Sequence, residues 1–172
     1  MTRCLPAAVA ALFLALPAAR GADDDLAASL DKRAADAVKV LKDRQMFRYG
    51  VLKFLVRQGD GPFRDDAGEL NTTLTNKVYT ALLAKLDDAS PFVPLEDVNG
   101  VIAEKRIADA DHRTADGRKA FFAVRYPAAF GDRKVAADGF VVGTCSFAAD
   151  LTSATLELSV FDRTGKLDKL VE

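Results

Sequence analysis

The sequence predicts an α/β fold in which a mixed sheet of about four to five strands is flanked by helices and ends in an antiparallel hairpin. Three observations lead to this prediction. Apolar residues recur at helical spacing in residues 26–42 and 70–86. A short, almost continuous apolar run, residues 48–57, lies between these segments, as a buried strand requires. Residues 139–147 and 155–161 have the composition of strands.

The N-terminal segment, residues 1–21, is predicted to be a signal peptide. Arg3 provides the positive start, residues 5–19 are largely apolar, and small residues precede the predicted cleavage site after Gly21. The apolar run is shorter than the roughly 20 residues that span a bilayer, and the acidic segment Asp23–Asp25 follows it. We therefore expect export to the periplasm or the extracellular space, with no stable membrane insertion after cleavage.

The remaining chain, residues 22–172, is predicted to form a single α/β domain, because about 150 residues is the usual size of one domain. The whole sequence has 24 Lys and Arg, 25 Asp and Glu, and a formal net charge of −1. Charges of both signs are interspersed, as in Asp31–Arg33 and Glu104–Arg106, which is typical of solvated helix faces. No basic patch is indicated, so nucleic acid is not an expected partner.

The two cysteines exclude an intramolecular disulfide in the mature protein. Cys4 leaves with the predicted leader, and Cys145 then has no partner. Cys4 also precedes the apolar run, whereas a lipoprotein signal has its cysteine at the end of that run. Cys145 lies in a strand-like segment and is predicted to be a small buried core residue.

The first helix is predicted over Leu26–Lys42. The segment Arg48–Arg57 follows as the first central strand, interrupted by Lys53, a residue that in such a strand usually reaches solvent past an edge or pairs with a carboxylate. Apolar positions of the helix recur at steps of three and four: Leu26, Leu30, Ala34, Ala37, Val38 and Leu41.

A loop is predicted over residues 58–68, which are rich in Gly and Asp. Asp66 and Glu69 have the spacing of a capping box, in which the Asp side chain accepts from the first free amides of the second helix and the Glu reaches back. The apolar stripe of this helix is predicted to be Leu70, Leu74, Val78, Ala81, Leu82 and Leu86.

The middle of the chain predicts short elements. Phe92–Leu95 is predicted to be a short strand that Pro94 confines to an edge or an end of the sheet. Asp97 is predicted to cap a helix over residues 98–107. A third helix is predicted over residues 117–126, ending before Pro127, and residues 127–138 are predicted to be a loop.

The last third predicts an antiparallel hairpin formed by residues 139–147 and 155–161. In its second strand Leu156, Leu158 and Val160 alternate with polar residues, which indicates one buried face. A turn at Asp162–Gly165 then leads into a short final strand over residues 166–170.

Few side chains qualify as a chemical site. His112 is the sole histidine, which excludes a multi-histidine zinc site, and it is predicted to be an exposed loop residue. Two acidic groups lack the alternating spacing of a calcium loop and are better explained by turns and caps. They are Asp60, Asp65, Asp66 and Glu69, and Asp109, Asp111 and Asp116.

The sequence contains no nucleophile elbow, Walker A sequence or dinucleotide-binding glycine motif. We therefore assign no catalytic, cofactor-binding or metal-binding residues and expect neither an enzyme nor a cofactor. A carboxylate-based hydrolase that uses Asp65, Asp66 or Glu69 remains an alternative, because glycoside hydrolysis needs only two carboxylates. Asn71 begins a formal glycosylation acceptor within the second helix.

Two segments carry a resemblance to a known group of proteins. They are Gly50–Phe54 followed by the helix over residues 74–86, and Phe140–Thr144 followed by Leu156–Asp162. In this pattern the chain resembles the small α/β domain of exported bacterial envelope proteins, the group that includes CsgG, FlgO, the lipoprotein activators of penicillin-binding proteins and the N-terminal domain of TolB. The resemblance implies a mixed sheet flanked by helices and a role in binding or assembling envelope machinery, with no catalytic residues to carry over.

The expected function is therefore that of an exported, non-enzymatic accessory domain whose partner is a protein of the envelope. Its binding surface is expected to be a groove or an unpaired sheet edge such as Phe92–Leu95. Two alternatives stay open, the carboxylate hydrolase and a ligand-binding or sensor module of a larger protein.

Overall fold

The computed structural model of this chain describes residues 20–86, 90–107 and 109–170, with side chains from Leu30 onward. The predicted leader lies, up to residue 19, outside the described residues. Within the described ranges, no helix combines the length and the apolar character needed to cross a membrane.

The chain alternates helices and strands. The helices are α1 (Arg20–Asp43), α2 (Glu69–Leu83), α3 (Val98–Lys105) and α4 (Ala115–Ala120), which runs into a 3-10 turn at Phe121–Ala123. The strands are β1 (Arg48–Val51), β2 (Leu55–Gln58), β3 (Val93–Pro94), β4 (Arg125–Pro127), β5 (Lys134–Ala136), β6 (Gly139–Phe147), β7 (Ala154–Asp162) and β8 (Leu167–Lys169).

Six strands form one mixed sheet in the order β3-β1-β6-β7-β8, and β2 pairs with β6 on the side where β1 also lies. The pairs of β1 with β3, β1 with β6 and β2 with β6 are parallel. The pairs of β6 with β7 and β7 with β8 are antiparallel. This arrangement confirms the predicted α/β fold with a mixed sheet, flanking helices and antiparallel strands at the C-terminal end.

The sheet has one more strand than expected because the apolar run of residues 48–57 is split into β1 and β2. Val51 is paired with Val141, and Leu55 is paired with Thr144. Three residues of the run, 52–54, therefore lie opposite two residues of β6. This extra residue is a bulge, which interrupts the regular backbone pairing.

The helices cover both faces of the sheet. On one face, α1 and α2 pack on each other and on the sheet around Leu41, Tyr49 and Val141, all of which are fully buried. On the other face, α3, α4 and the 3-10 turn cover Phe140 and Phe161. Each face of the sheet thus has its own apolar core.

The predicted stripe of the first helix is confirmed where its side chains are described: Leu30, Ala34, Ala37 and Leu41 are buried. The helix begins at Arg20 rather than Leu26, so the predicted cleavage after Gly21 falls in its first turn and leaves the buried part intact.

The predicted capping box of the second helix is wrong. The helix is preceded by Gly68, which provides no side-chain cap, and Asp66 instead pairs with Arg64. The predicted stripe is confirmed at Leu74, Val78 and Leu82, which are buried, but Leu70 is 37% exposed. Asn71 and Thr75 are buried beside the stripe, because they bond to the backbone of the bulge, as described below.

The segment predicted as a third helix and a following loop contains a hairpin that its sequence did not predict. The helix α4 is short, and β4 and β5 pair with each other in a separate two-stranded sheet, with Tyr126 opposite Val135. The prediction of a loop over residues 127–138 is wrong because β5 lies within it. Tyr126 is fully buried, and its hydroxyl donates to the carbonyl of Phe121 at 2.7 Å.

The predicted edge strand is confirmed as β3, but its outer side is occupied. The amide of Ala129 donates to the carbonyl of Pro94 at 2.9 Å, and the amide of Glu96 donates to the carbonyl of Pro127 at 2.9 Å. The segment 127–129 therefore covers this edge, and Phe92–Leu95 is not an unpaired edge.

In the last third, the predicted hairpin is confirmed as β6 and β7, with Gly139 opposite Asp162.

Candidate functional site

A crevice of about 580 Å³ opens where the sheet divides, at the carboxyl ends of β1 and β3. After β1 the chain passes through α2 to β3 on one side, and after β3 it crosses to β6 on the other side of β1. The crevice therefore lies at the point where the strand order reverses, which is where open α/β sheets place their ligands. It is lined by Val51, Leu52, Lys53, Asp65, Thr72, Thr75, Asn76, Tyr79, Leu95, Glu96, Asp97, Val98, Asn99, Ile102, Ala103, Ala110, His112 and Phe121.

The floor of the crevice is the bulge between β1 and β2, and a side chain of α3 stabilises it. Asn99 accepts a hydrogen bond of 2.8 Å from the amide of Lys53 and donates one of 3.3 Å to the carbonyl of Val51. The carboxamide thus makes the two bonds that a neighbouring parallel strand would make. Because the side chain of Asn99 takes the place of a strand here, β3 ends early and leaves space for the crevice.

Two polar side chains of α2 complete the bulge. Thr75 accepts a bond of 3.1 Å from the amide of Phe54, and Asn71 donates to the carbonyl of the same residue at 2.6 Å. Asn71 also donates to the carbonyl of Arg64 at 3.0 Å. The two bonds to Phe54 satisfy backbone groups that lack a ladder partner, which explains why polar residues lie on the buried face of α2.

The wall formed by α2 carries a hydroxyl without a partner. The hydroxyl oxygen of Tyr79 is buried and makes no hydrogen bond to any described residue. Burial and, to a smaller extent, the charge of Glu96 raise the pKa of Tyr79. Tyr79 is therefore a neutral phenol that retains both its donor and its acceptor capacity.

The opposite wall carries His112, which is partly buried, so the prediction of an exposed loop residue is wrong. Its Nε2 atom is buried and has no hydrogen-bond partner among the described residues. The ring lies against that of Phe121, with centroids 6.5 Å apart. Burial is the main cause that lowers the pKa of His112, so the imidazole is neutral at pH 7.

The acidic residues considered for hydrolysis do not form a buried pair. Asp65, Asp66 and Glu69 are all exposed, and only Asp65 lines the crevice. Arg64 donates to Asp66 at 2.7 and 2.9 Å, and this pairing is the main cause that lowers the pKa of the carboxyl. A general acid needs the opposite shift.

The residues described by the structure include no group of three or more His, Cys, Asp or Glu side chains placed to hold a metal ion. In the second acidic segment, Asp111 pairs with Arg113 at 2.8 Å and Asp116 with Lys119 at 2.8 Å. These carboxylates are therefore engaged in local ion pairs. The pKa of both is lowered, chiefly by those pairs.

Two further sequence candidates have structural roles. Cys145 is buried in the core, as predicted, and burial raises the pKa of its thiol. Asn71, the first residue of the formal glycosylation acceptor, has no exposed surface and uses its amide nitrogen in the bulge. Modification at Asn71 would require removal of the side chain from the core.

The sequence did not predict Tyr79, Glu96 or Asn99 as site residues. The available signal was the presence of Asn71 and Thr75 on the same helical face as apolar Leu74 and Val78, because buried polar residues are retained only with partners.

No family model, no curated protein and no solved structure matches the chain.

Proposed function

We propose that this chain is an exported binding protein of the cell envelope that holds a segment of a protein partner in the crevice, without bond-breaking chemistry. The observation that carries the proposal is the pair of buried, unpartnered atoms on opposite walls, the Tyr79 hydroxyl and His112 Nε2. Buried polar groups without partners are costly, by about 1–3 kcal/mol each, so a ligand that penetrates far enough to supply partners for these two atoms gains affinity there.

The dimensions of the crevice favour a short extended peptide. The α2 residues that line it run from Thr72 to Tyr79, which at 1.5 Å per residue corresponds to about 10 Å. About three residues of an extended chain have this length. The crevice replaces the β3 edge as the expected binding surface, since the chain around Ala128 already covers that edge.

The carboxylate hydrolase is disfavoured by the arrangement of its acids. A pair of carboxylates acting on one bond would have to lie close together, with one pKa raised. Asp65, Asp66 and Glu69 are exposed, and the pKa of Asp66 is lowered. The resemblance to envelope proteins, which implies binding and assembly, points the same way.

A small-molecule binding module is the second candidate. The volume of about 580 Å³ lies within the range of roughly 300–1,000 Å³ that small-molecule sites have. In that case the protein isolated from its native compartment should carry a small ligand, which native mass spectrometry would detect as added mass.

Site-directed photo-crosslinking in the living host tests the proposal. A photoreactive phenylalanine analogue replaces Ala103, an exposed residue that lines the crevice, and in the matched control it replaces Lys32, an exposed residue of α1. We expect one discrete protein adduct from position 103 that position 32 does not form. Equal labelling at both positions, or no adduct from either, would contradict binding through the crevice.

Fractionation of the same cells tests export. The proposal requires mature protein beginning at Ala22 in the periplasmic or extracellular fraction, as shown by intact mass. An unprocessed chain confined to the cytosol would contradict it.

A further inference from the structure

We infer that the crevice accepts the cationic side chain of a lysine or arginine of the partner segment, at the end where Tyr79 faces Glu96. The inference rests on the proposed function, since it specifies the chemistry of the segment that the crevice holds. Four observations support it: the excess of negative charge, its uneven distribution, the unpaired state of Glu96 and the acceptor capacity of the walls.

The ionised groups that line the crevice are three carboxylates, those of Asp65, Glu96 and Asp97, and one ammonium group, that of Lys53. His112 does not alter this balance at neutral pH, because burial favours its neutral form. The crevice therefore has a negative potential that attracts a cation and disfavours an anion.

The charges are not evenly distributed along the crevice. Lys53 lies near the acidic loop, where its charge helps to lower the pKa of Asp66. Glu96 lies at the other end, where its charge acts on Tyr79. The positive charge of Lys53 therefore offsets the carboxylates of the loop, and the end at Glu96 stays anionic.

Glu96 has no cationic partner within the described part of the chain, although it lines a concave surface. Its main-chain amide is bonded to Pro127, which holds the residue in place at the start of the turn into α3. The neighbouring Asp97 is engaged differently, since its carboxylate accepts from the amide of Gly100 at 3.2 Å and caps α3. At this end of the crevice Glu96 is thus the carboxylate that makes no hydrogen bond or ion pair with a described residue.

Lysine and arginine side chains carry only donors and therefore need acceptors around them. At this end of the crevice Glu96 offers an exposed carboxylate. The hydroxyl oxygen of Tyr79 is buried but has no other partner, and the neutral imidazole of His112 also lines the crevice. A hydrogen bond between a cation and a carboxylate is stronger than one between neutral groups. The apolar lining from Leu95, Val98 and Ile102 suits the methylene stem of such a side chain.

The direct test uses two small probes of matched shape, Nα-acetyl-lysine N-methylamide and its norleucine counterpart, which has the methylenes but no ammonium group. In an amide NMR titration of the mature protein, the lysine probe should shift the resonances of residues 79, 96 and 98 at millimolar concentration. We expect the norleucine probe to bind at least fivefold more weakly, and Glu96→Gln to weaken the lysine probe by about five- to tenfold. Equal effects of the two probes would overturn the inference.

The test in the host uses charge reversal together with the crosslink at position 103. Glu96→Lys should abolish the adduct, whereas Glu104→Lys, the same change on an exposed part of α3 outside the crevice, should leave it. The crosslinked peptide of the partner should contain a Lys or Arg, whose replacement by Glu should restore binding to the Glu96→Lys variant.

The outcomes separate the two proposals. An adduct that still forms with Glu96→Lys would support binding in the crevice but would overturn the inference that a cationic side chain is bound there. Absence of any adduct would overturn the proposal of a protein partner. If the lysine probe binds although no protein adduct forms, the ligand is a free amine and does not come from a protein.

Discussion

The side-chain amide of Asn71, on α2, donates a hydrogen bond of 2.6 Å to the main-chain carbonyl of Phe54, in the bulge between β1 and β2. The same nitrogen serves the carbonyl of Arg64. One helical side chain thus satisfies a backbone acceptor of the bulge and adds a second donor to the Arg64 carbonyl, which also accepts from the amide of Val56 at 2.8 Å. It joins α2 to the floor of the crevice.

Replacement of Asn71 by Ala should lower the free energy of unfolding by about 1–3 kcal/mol, because it leaves the Phe54 carbonyl without its donor. Asn76→Ala, on the exposed side of the same helix, is the matched control and should change stability by less than about 0.5 kcal/mol. Urea denaturation of the two variants measures the difference. Equal stabilities would contradict the role of Asn71 in the bulge.

The ring of Phe54 lies directly against the backbone of Gly143, in the space that a β-carbon at position 143 would occupy. Gly143→Ala should therefore overpack the core and destabilise the protein by about 1–3 kcal/mol. In a Phe54→Leu background the cost of Gly143→Ala should be smaller by at least about 0.5 kcal/mol, because the smaller side chain can move aside. A double-mutant cycle by urea denaturation measures this coupling, and strictly additive costs would contradict the contact.

The stability of the protein should depend on pH near neutrality through His112. Burial lowers its pKa in the folded state, so the unfolded chain binds the proton more readily. The contribution of neutral His112 to stability is complete above about 6.5, the pKa of the residue in the unfolded chain, and it is lost as the pH falls below that value. The free energy of unfolding should therefore decrease from pH 7.5 to pH 5.5.

The charged groups near His112 are Asp111, Asp65, Arg113 and Arg118. Since the chain has one histidine, His112→Gln should remove most of the pH dependence between pH 7.5 and 5.5. The imidazole proton resonance of the folded protein reports the same pKa directly. A folded-state value at or above 6.5 would contradict the burial argument.

The thiol of Cys145 should be unreactive in the native protein, because it is buried and its pKa is raised by burial. The thiolate is the reactive form, so both effects slow its attack on a disulfide reagent. Labelling with such a reagent at pH 8 should be slow in buffer and rapid in 6 M guanidinium chloride. Rapid labelling of the folded protein would show that β6 opens.

Local sequence pattern predicted those parts of the fold that depend on neighbours in the chain. The spacing of Leu30, Ala34, Ala37 and Leu41 predicted the buried stripe of α1, and the composition of residues 139–161 predicted the hairpin of β6 and β7. Asp97 was correctly predicted to cap α3, since an N-cap interaction spans only three residues. Each of these features arises from interactions within one element or one turn.

The crevice arises from contacts between residues far apart in the chain, and for that reason it was not predicted. The bulge depends on Asn99, which lies 46 residues from Lys53, and on Thr75, which lies 21 residues from Phe54. His112 is buried because the other elements of the fold enclose its loop. The failed cap of α2 is a local exception, since Asp66 pairs with Arg64, two residues away. Periodicity identifies which face of an element is apolar, whereas the tertiary structure decides which elements meet and which polar groups are left without a partner between them.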